Sequence, residues 1–195
     1  MGTIDQIRAF TRLKINRLLS DQSDSSARAS LANLRRGVGR APGALPELWG
    51  EFLSEMPEEL FGRGAEISRA EWAVYTALTM FAFHQQGKDR KTDSMHKEGI
   101  SLGAAANRLI KNEGDDRERI ARRFYPAATA SDMTELSHHL RGLVSLLRSE
   151  GIQMDYVRLA ADLYLFQNPD FADAVRLRWG EDFCRYKSDE NNIEE

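Results

Sequence analysis

The stretch from Ser68 to Gly87, Ser68-Arg69-Ala70-Glu71-Trp72-Ala73-Val74-Tyr75-Thr76-Ala77-Leu78-Thr79-Met80-Phe81-Ala82-Phe83-His84-Gln85-Gln86-Gly87, decides the fold class. Ser68 offers a hydroxyl N-cap, and Glu71 three residues later completes a capping box, so a helix start is written locally. Trp72, Tyr75, Thr79, Ala82, Phe83 and Gln86 recur at spacings of three and four, the period of a helical face. Gly87 supplies the stop. The aromatic body of this stripe is expected in the core, where truncating Trp72 to alanine would cost roughly 3–5 kcal/mol.

The same reading extends toward the N-terminus. Residues 46–55 follow Pro42 and Pro46 and present Leu48, Trp49, Phe52 and Leu53 on a short helix. Glu47 and Glu51 suit its first turns, where carboxylates meet the positive end of the helix dipole. Residues 24–37 place Ala27, Leu31 and Leu34 four and three apart, with Arg28 and Arg35 seven apart on one flank and Arg36 adjacent. Gly37 and Gly39 are expected to stop this helix, because glycine enters the left-handed region cheaply. A first helix over residues 3–20 carries Ile4, Ile7, Phe10, Ile15, Leu18 and Leu19.

Toward the C-terminus, residues 88–99 read as a polar loop bearing Lys88, Arg90, Lys91, His96 and Lys97, with almost nothing able to pack. Ser101 opens a short helix whose alanines allow close helix–helix approach. A helix over about 116–125 turns Ile120 and Phe124 inward and is expected to stop near Pro126. Ser131 or Asp132 caps a long helix striped by Met133, Leu136, Leu140, Leu143, Val144 and Leu147, and Gly151 ends it. Residues 153–167 bury Tyr156, Leu159, Ala160 and Leu163. Asn168-Pro169 restarts the chain with a cap and a proline at the first helical position. Phe171, Val175, Trp179, Phe183 and Tyr186 then stripe the last helix. No run of alternating β-branched residues competes with this pattern. The expectation is an all-α protein, a two-lobed helical bundle: an N-terminal lobe over 1–111, a C-terminal lobe over 116–186, and a flexible tail over 187–195 that lacks an apolar anchor.

At 195 residues, 42% apolar and 29% charged, the chain has the balance of a globular protein. The net charge of −3 hides opposite local fields. Residues 1–41 carry eight basic side chains against three acidic ones, residues 42–60 five acidic and no basic ones, and residues 149–195 five basic against eleven acidic. A polyanion responds to the local field, not to the total. Cys184 is the only cysteine, which excludes an intrachain disulfide and a cysteine-held zinc or iron–sulfur centre. The first residues lack a basic region followed by an apolar one, and no apolar run approaches the roughly 20 residues of a membrane span. A cytoplasmic protein without a membrane partner is expected.

Catalysis needs converging groups, and few are offered. His84, His96, His138 and His139 form no His-Glu-x-x-His pair. His84, ending the aromatic helix, reads as a half-buried, hydrogen-bonded imidazole, and His138 and His139 diverge by about 100° around one helix. Cys184 reads as a small packed side chain. Asp155 and Asp162 lie two turns apart, roughly 10 Å along the axis, a spacing that suits caps or arginine partners better than a paired acid and base. Residues 99–103 resemble a phosphate loop only loosely and lack the preceding strand. No catalytic set, cofactor or metal site is expected, and the chain reads as non-enzymatic.

The arginines carry the stronger signal, because a guanidinium bonds phosphate oxygens bidentately. Arg28, Arg35, Arg36 and Arg40, with Arg117, Arg119, Arg122 and Arg123, would form one or two stripes if their helices are neighbours. The alternative is a helical protein-interaction scaffold whose basic residues meet acidic neighbours and never touch nucleic acid.

In order and coverage these segments resemble the CasB-type small subunit of the type I-E CRISPR surveillance complex, Cascade, from about residue 27 to 186. The match rests on Leu31-Ala32-Asn33-Leu34-Arg35-Arg36-Gly37, Phe81-Ala82-Phe83-His84-Gln85-Gln86, Gly99-Ile100-Ser101-Leu102-Gly103, Arg122-Arg123-Phe124, His139-Leu140-Arg141 and Asp162-Leu163-Tyr164. Phe166 stands where a tryptophan is common, and Cys184-Arg185 replaces an aromatic–arginine ending. The resemblance implies a two-lobed helical subunit without a catalytic site. Its partners would be the CRISPR RNA-binding backbone subunits with their CRISPR RNA, the large PAM-recognising subunit, a second copy of itself, and the target and non-target DNA strands. It places nucleic-acid-binding arginines at Arg35, Arg36, Arg122, Arg123 and Arg141, and the charge pattern extends the set to Arg28 and Arg40. Arg123, beside Phe124, is the one expected to turn inward.

Overall fold

A computed structural model describes residues 2–20, 24–64, 66–112 and 114–185. Tyr186 and the expected tail over 187–195 lie outside the described residues. The chain is an all-α bundle. Its helices are α1 (Thr3–Leu19), α2 (Asp24–Arg36), α3 (Trp49–Phe52), α4 (Arg69–His84), α5 (Leu102–Asn107), α6 (Asp115–Thr129), α7 (Met133–Glu150), α8 (Tyr156–Phe166) and α9 (Pro169–Arg185), with 3-10 turns at Pro46–Leu48 and Glu58–Leu60. Pairing of β type among the described residues is an isolated bridge between His96 and Met154.

The capping box forms as the residues dictate. The Ser68 hydroxyl accepts the Glu71 N–H at 2.9 Å, and the Glu71 carboxylate accepts the Ser68 N–H at 2.6 Å. Burial along α4, however, runs all round and not along one stripe. Every residue from Ala73 to Ala82 is buried, because α1, α2, α7 and α8 all pack on this helix. Trp72, expected inside, is only half-buried, since it sits at the rim one residue before the enclosed stretch. Tyr75 and Phe81 are the aromatic centre of the core.

Two glycines set helix contacts. Gly37 does not adopt a left-handed conformation. A Cβ there would stand 2.5 Å from the Tyr75 hydroxyl and 2.8 Å from Leu48, so its bare Cα is what lets the end of α2 lie against α4. Its carbonyl accepts the Tyr75 O–H at 3.1 Å. At Gly103 a Cβ would stand 2.0 Å from the Trp179 carbonyl oxygen, which makes the α5–α9 seam a backbone-to-backbone contact. The close approach expected of the alanines of α5 is made instead at the glycine beside them.

Several boundaries and burials differ from expectation for local reasons. α6 runs through Pro126 to Thr129. Proline removes one N–H, but fully buried Ala127 and a Thr129 hydroxyl bond to the Tyr125 carbonyl at 2.9 Å hold the last turn. Trp49 and Phe171 are each 49% exposed. Leu48 and Phe52 already fill the inward side of α3, and Val175, Trp179 and Phe183 anchor α9 beyond Phe171. Cys184 is exposed instead of packed, one residue past buried Phe183. The loop over 88–99, expected to hold almost nothing able to pack, buries Arg90 and Met95. Contacts run across residues 112–116: α5 packs on α9, and α8 on α1 and α4, within one continuous apolar cluster.

Candidate nucleic-acid interface

With α2 laid on α4, the flank carrying Arg28 and Arg35 faces the turn that follows α4. Between them is a cleft of about 490 Å³, lined by Asp24, Arg28, Leu31 and Arg35 on one side and residues 85–91 on the other. Gln85 shapes that second wall. Its side-chain amide donates to the Asp93 carbonyl at 3.0 Å and, at longer range, to the Lys88 and Asp89 carbonyls, while its oxygen accepts the Met95 N–H at 2.8 Å. The loop cations are thereby fixed relative to α2.

Among the described residues five cations line the cleft against two carboxylates, and both carboxylates are committed. Asp24 is shared: Arg28 reaches it at 2.8 Å and buried Arg90 at 2.9 Å, with the Arg90 guanidinium also donating to the Ser20 carbonyl. Asp89 accepts the Lys91 and Thr92 N–H groups, each at 2.9 Å, and the Thr92 hydroxyl. These bonds hold its carboxyl below the usual carboxylate range. Lys88 meets Asp93 at 3.4 Å. Arg35 is left over. It is half-buried, burial lowers its pKa, and it has no ion pair or hydrogen-bonded side-chain partner among the described residues. Arginine stays protonated under such pressure, so a partly desolvated cation faces the cleft without its anion.

The other expected site residues fall differently. Arg36 pairs with Glu47 at 2.8 Å, and Arg122 with Glu118 at 2.5 Å, both in solvent. Arg40 is exposed, and its charge opposes the burial that pushes the Tyr75 hydroxyl up to about 12. Arg141 is exposed on α7. Arg123 is exposed too, against expectation, because Phe124 takes the inward position by stacking on Phe183 with centroids 4.7 Å apart. The main contacts of α6 are with α7, α5 and α9, whereas those of α2 are with α4 and α1. The structure therefore gathers Arg28 and Arg35 with loop residues Lys88, Arg90 and Lys91, and carries Arg122 and Arg123 on a separately packed helix. The loop cations were visible in the sequence as a polar run. Only the glutamine ahead of them, able to latch four backbone groups, hinted that the run was ordered.

The groups weighed for chemistry are structural. Asp155 caps α8 through the Arg158 N–H at 2.9 Å and accepts the Gly99 N–H at 2.9 Å. Asp162 accepts the Trp179 indole N–H at 2.8 Å and Arg178 at 3.1 Å; burial raises its carboxyl above the usual carboxylate range, and these contacts offset only part of that rise. His84 is fully buried, not half-buried, with Nδ1 2.8 Å from the Tyr156 hydroxyl, and burial lowers its pKa to about 4. His96 Nδ1 accepts the Tyr156 N–H at 3.2 Å. Among the described residues no three His, Cys, Asp or Glu side chains gather as a metal site, and no helix is long and apolar enough to cross a membrane.

Fold and site together define an all-helical protein with a preformed basic cleft. The chain belongs to the CRISPR-associated Cse2 family, also called CasB: the model of CRISPR-associated protein Cse2 matches residues 30–183. It is similar to CasB from Thermobifida fusca, with 33% identity, 91% of this chain and 97% of that chain covered, and a TM-score of 0.74. CasB from M. ruber aligns at 25% identity over 97% of this chain and 98% of that one, with a TM-score of 0.65. A chain of a structure described as a CRISPR RNA-guided surveillance complex shares the fold at 21% identity, covering 92% of this chain and 94% of that chain, with a TM-score of 0.70. Comparison with curated protein sequences yields no match.

Proposed function

We propose that this chain is a non-catalytic small subunit of a type I-E CRISPR RNA-guided surveillance complex, and that its basic cleft grips the phosphate backbone of nucleic acid. One observation carries the reading: Arg35 stands half-buried in a cationic cleft with no anion of its own among the described residues. A phosphate supplies that anion bidentately, and the neighbouring Arg28, Lys88 and Lys91 add attraction without reading base identity. In the assembled complex, sequence is read by guide pairing, while such contacts steady the target strand on its guide and retain the displaced strand. Family membership and the similar chain in a surveillance complex support the assembly. The CRISPR RNA-binding backbone subunits, the large PAM-recognising subunit and a second copy of this chain are the protein partners proposed. Arg36, Arg40, Arg122, Arg123 and Arg141 extend the contact surface. The carboxylates paired with Arg36 and Arg122 are exposed, and such pairs exchange readily for phosphate because solvent screens them.

The same two ion pairs favour a second reading, a scaffold whose cations are already neutralised. Titration of fluorescent single-stranded DNA across a salt series separates the two. Arg35→Ala and the double variant Arg28→Ala/Arg35→Ala are compared with the parent, alone and in the complex, with thermal melts as the folding control. Each phosphate contact removed is expected to flatten the log–log salt slope by about 0.7. Parent-like affinity and slope in both variants would leave the scaffold reading standing.

A further inference from the structure

Among the described residues the cleft at Arg35 is lined without an aromatic ring, so it offers a strand charge but no surface for a base. An aromatic surface of the right kind lies on α6. Tyr125 is 55% exposed, beside Arg122 on the same face one turn earlier. Its ring touches two buried rings: Phe183 in a T-shaped contact, with centroids 6.2 Å apart and planes at 71°, and Phe124 in a tilted one at 6.2 Å. Phe124 and Phe183 are themselves stacked. The Arg117 guanidinium lies over Phe183 at 5.5 Å, so a second cation borders the same aromatic cluster.

We propose that Tyr125, with Arg122 beside it, is a stacking site for one unpaired nucleobase of a single strand. Solitary exposed aromatics are ordinary on protein surfaces. Tyr125 differs in being backed by a rigid aromatic pair and bordered by cations. From Arg119 to Ser131 the chain carries three arginines and no carboxylate. Arg119 and Arg122 pair with Asp116 and Glu118 of the preceding turn, and because the Arg122 pair is exposed and screened by solvent, a polyanion can take over that arginine where a basic peptide cannot. Every base offers a π-face, so stacking here adds affinity without sequence preference, and an arginine one turn away is placed for the adjoining phosphate. The inference rests on the nucleic-acid reading above and adds the base to the phosphate as a recognised group.

The test uses the full chain, a labelled oligothymidylate and a sugar–phosphate oligomer of the same length lacking bases. Tyr125→Ala is expected to weaken binding of the oligothymidylate about tenfold and to leave the abasic strand unchanged, while Tyr125→Phe keeps parental affinity for both. Parental binding of both strands by Tyr125→Ala overturns the site. So does an equal loss on both strands, which marks a change of field or fold. Weakened assembly with the other protein subunits in the absence of nucleic acid, with strand binding intact, makes Tyr125 a protein contact instead. Arg35→Ala serves as the reference. If it weakens strand binding and Tyr125→Ala does not, the stacking site alone fails. If the parent binds neither strand, alone or in the complex, the nucleic-acid reading fails with it.

Discussion

Arginine is as dense on α6 as on α2, yet the two helices present it in different states. On α6, Arg119 meets Asp116 and Arg122 meets Glu118, each a carboxylate of the same helix one turn back. On α2, Arg28 must share Asp24 with Arg90, a residue 66 positions from Asp24 in sequence, and Arg35 receives no carboxylate among the described residues. Local neighbours settle the charge balance of α6, while tertiary placement settles that of α2. The count of basic residues says little about where an anion is wanted; the pairing that folding leaves incomplete says more.

The largest effect that would sharpen this contrast is acid. The cleft wall over 85–88 continues directly from His84, whose pKa falls from 6.5 to about 4 on burial. Between those values the unfolded chain binds a proton that the folded chain refuses. Stability is therefore intact above pH 6.5 and falls as pH drops toward 4, by about 3 kcal/mol in all. Denaturant melts of the parent against His84→Gln are expected to diverge in slope over that window. Hydrogen exchange should show the 85–95 segment opening in acid before α6 does, and simultaneous opening breaks the contrast.

Gly103→Ala acts from the other side. It drives a Cβ into the Trp179 carbonyl and disturbs the α5–α9 seam against which α6 packs. A cost of about 1–3 kcal/mol is expected, read as several degrees of Tm, with strand binding at the cleft unchanged at low temperature. Arg35→Ala reverses that pattern: about tenfold weaker strand binding with a parental melt. Smallest is Arg122→Ala, about a twofold loss of affinity, because Glu118 already engages this guanidinium. Equal losses at Arg35 and Arg122 erase the distinction between the two regions.

Much of this fold is legible from local chemistry. The Ser68–Glu71 box, the Asp132 cap, the Gly151 stop and the Asn168-Pro169 restart all act within one turn, so their residues suffice to place them. Trp72 misleads because periodicity reports a face, whereas α4 is enclosed on every side. Pro126 misleads because burial of Ala127 outweighs one missing hydrogen bond. Arg28 and Arg35 are legible as a pair by their spacing of seven. That Lys88, Arg90 and Lys91 complete their cleft is not, since it depends on α4 returning the chain to α2. Arg123 shows the same limit: its exposure follows from Phe124 finding Phe183 about sixty positions away.

The carboxamide of Gln85 has one more consequence. A loop cinched to a single internal side chain at residues 88, 89, 93 and 95 has a fixed girth. Extra residues inserted between 88 and 93 would slip those carbonyls off their common donor and release the basic arm as slack chain. Length variation within this arm is thus a matter of function as well as fold, and relatives that keep the grip are expected to keep the count.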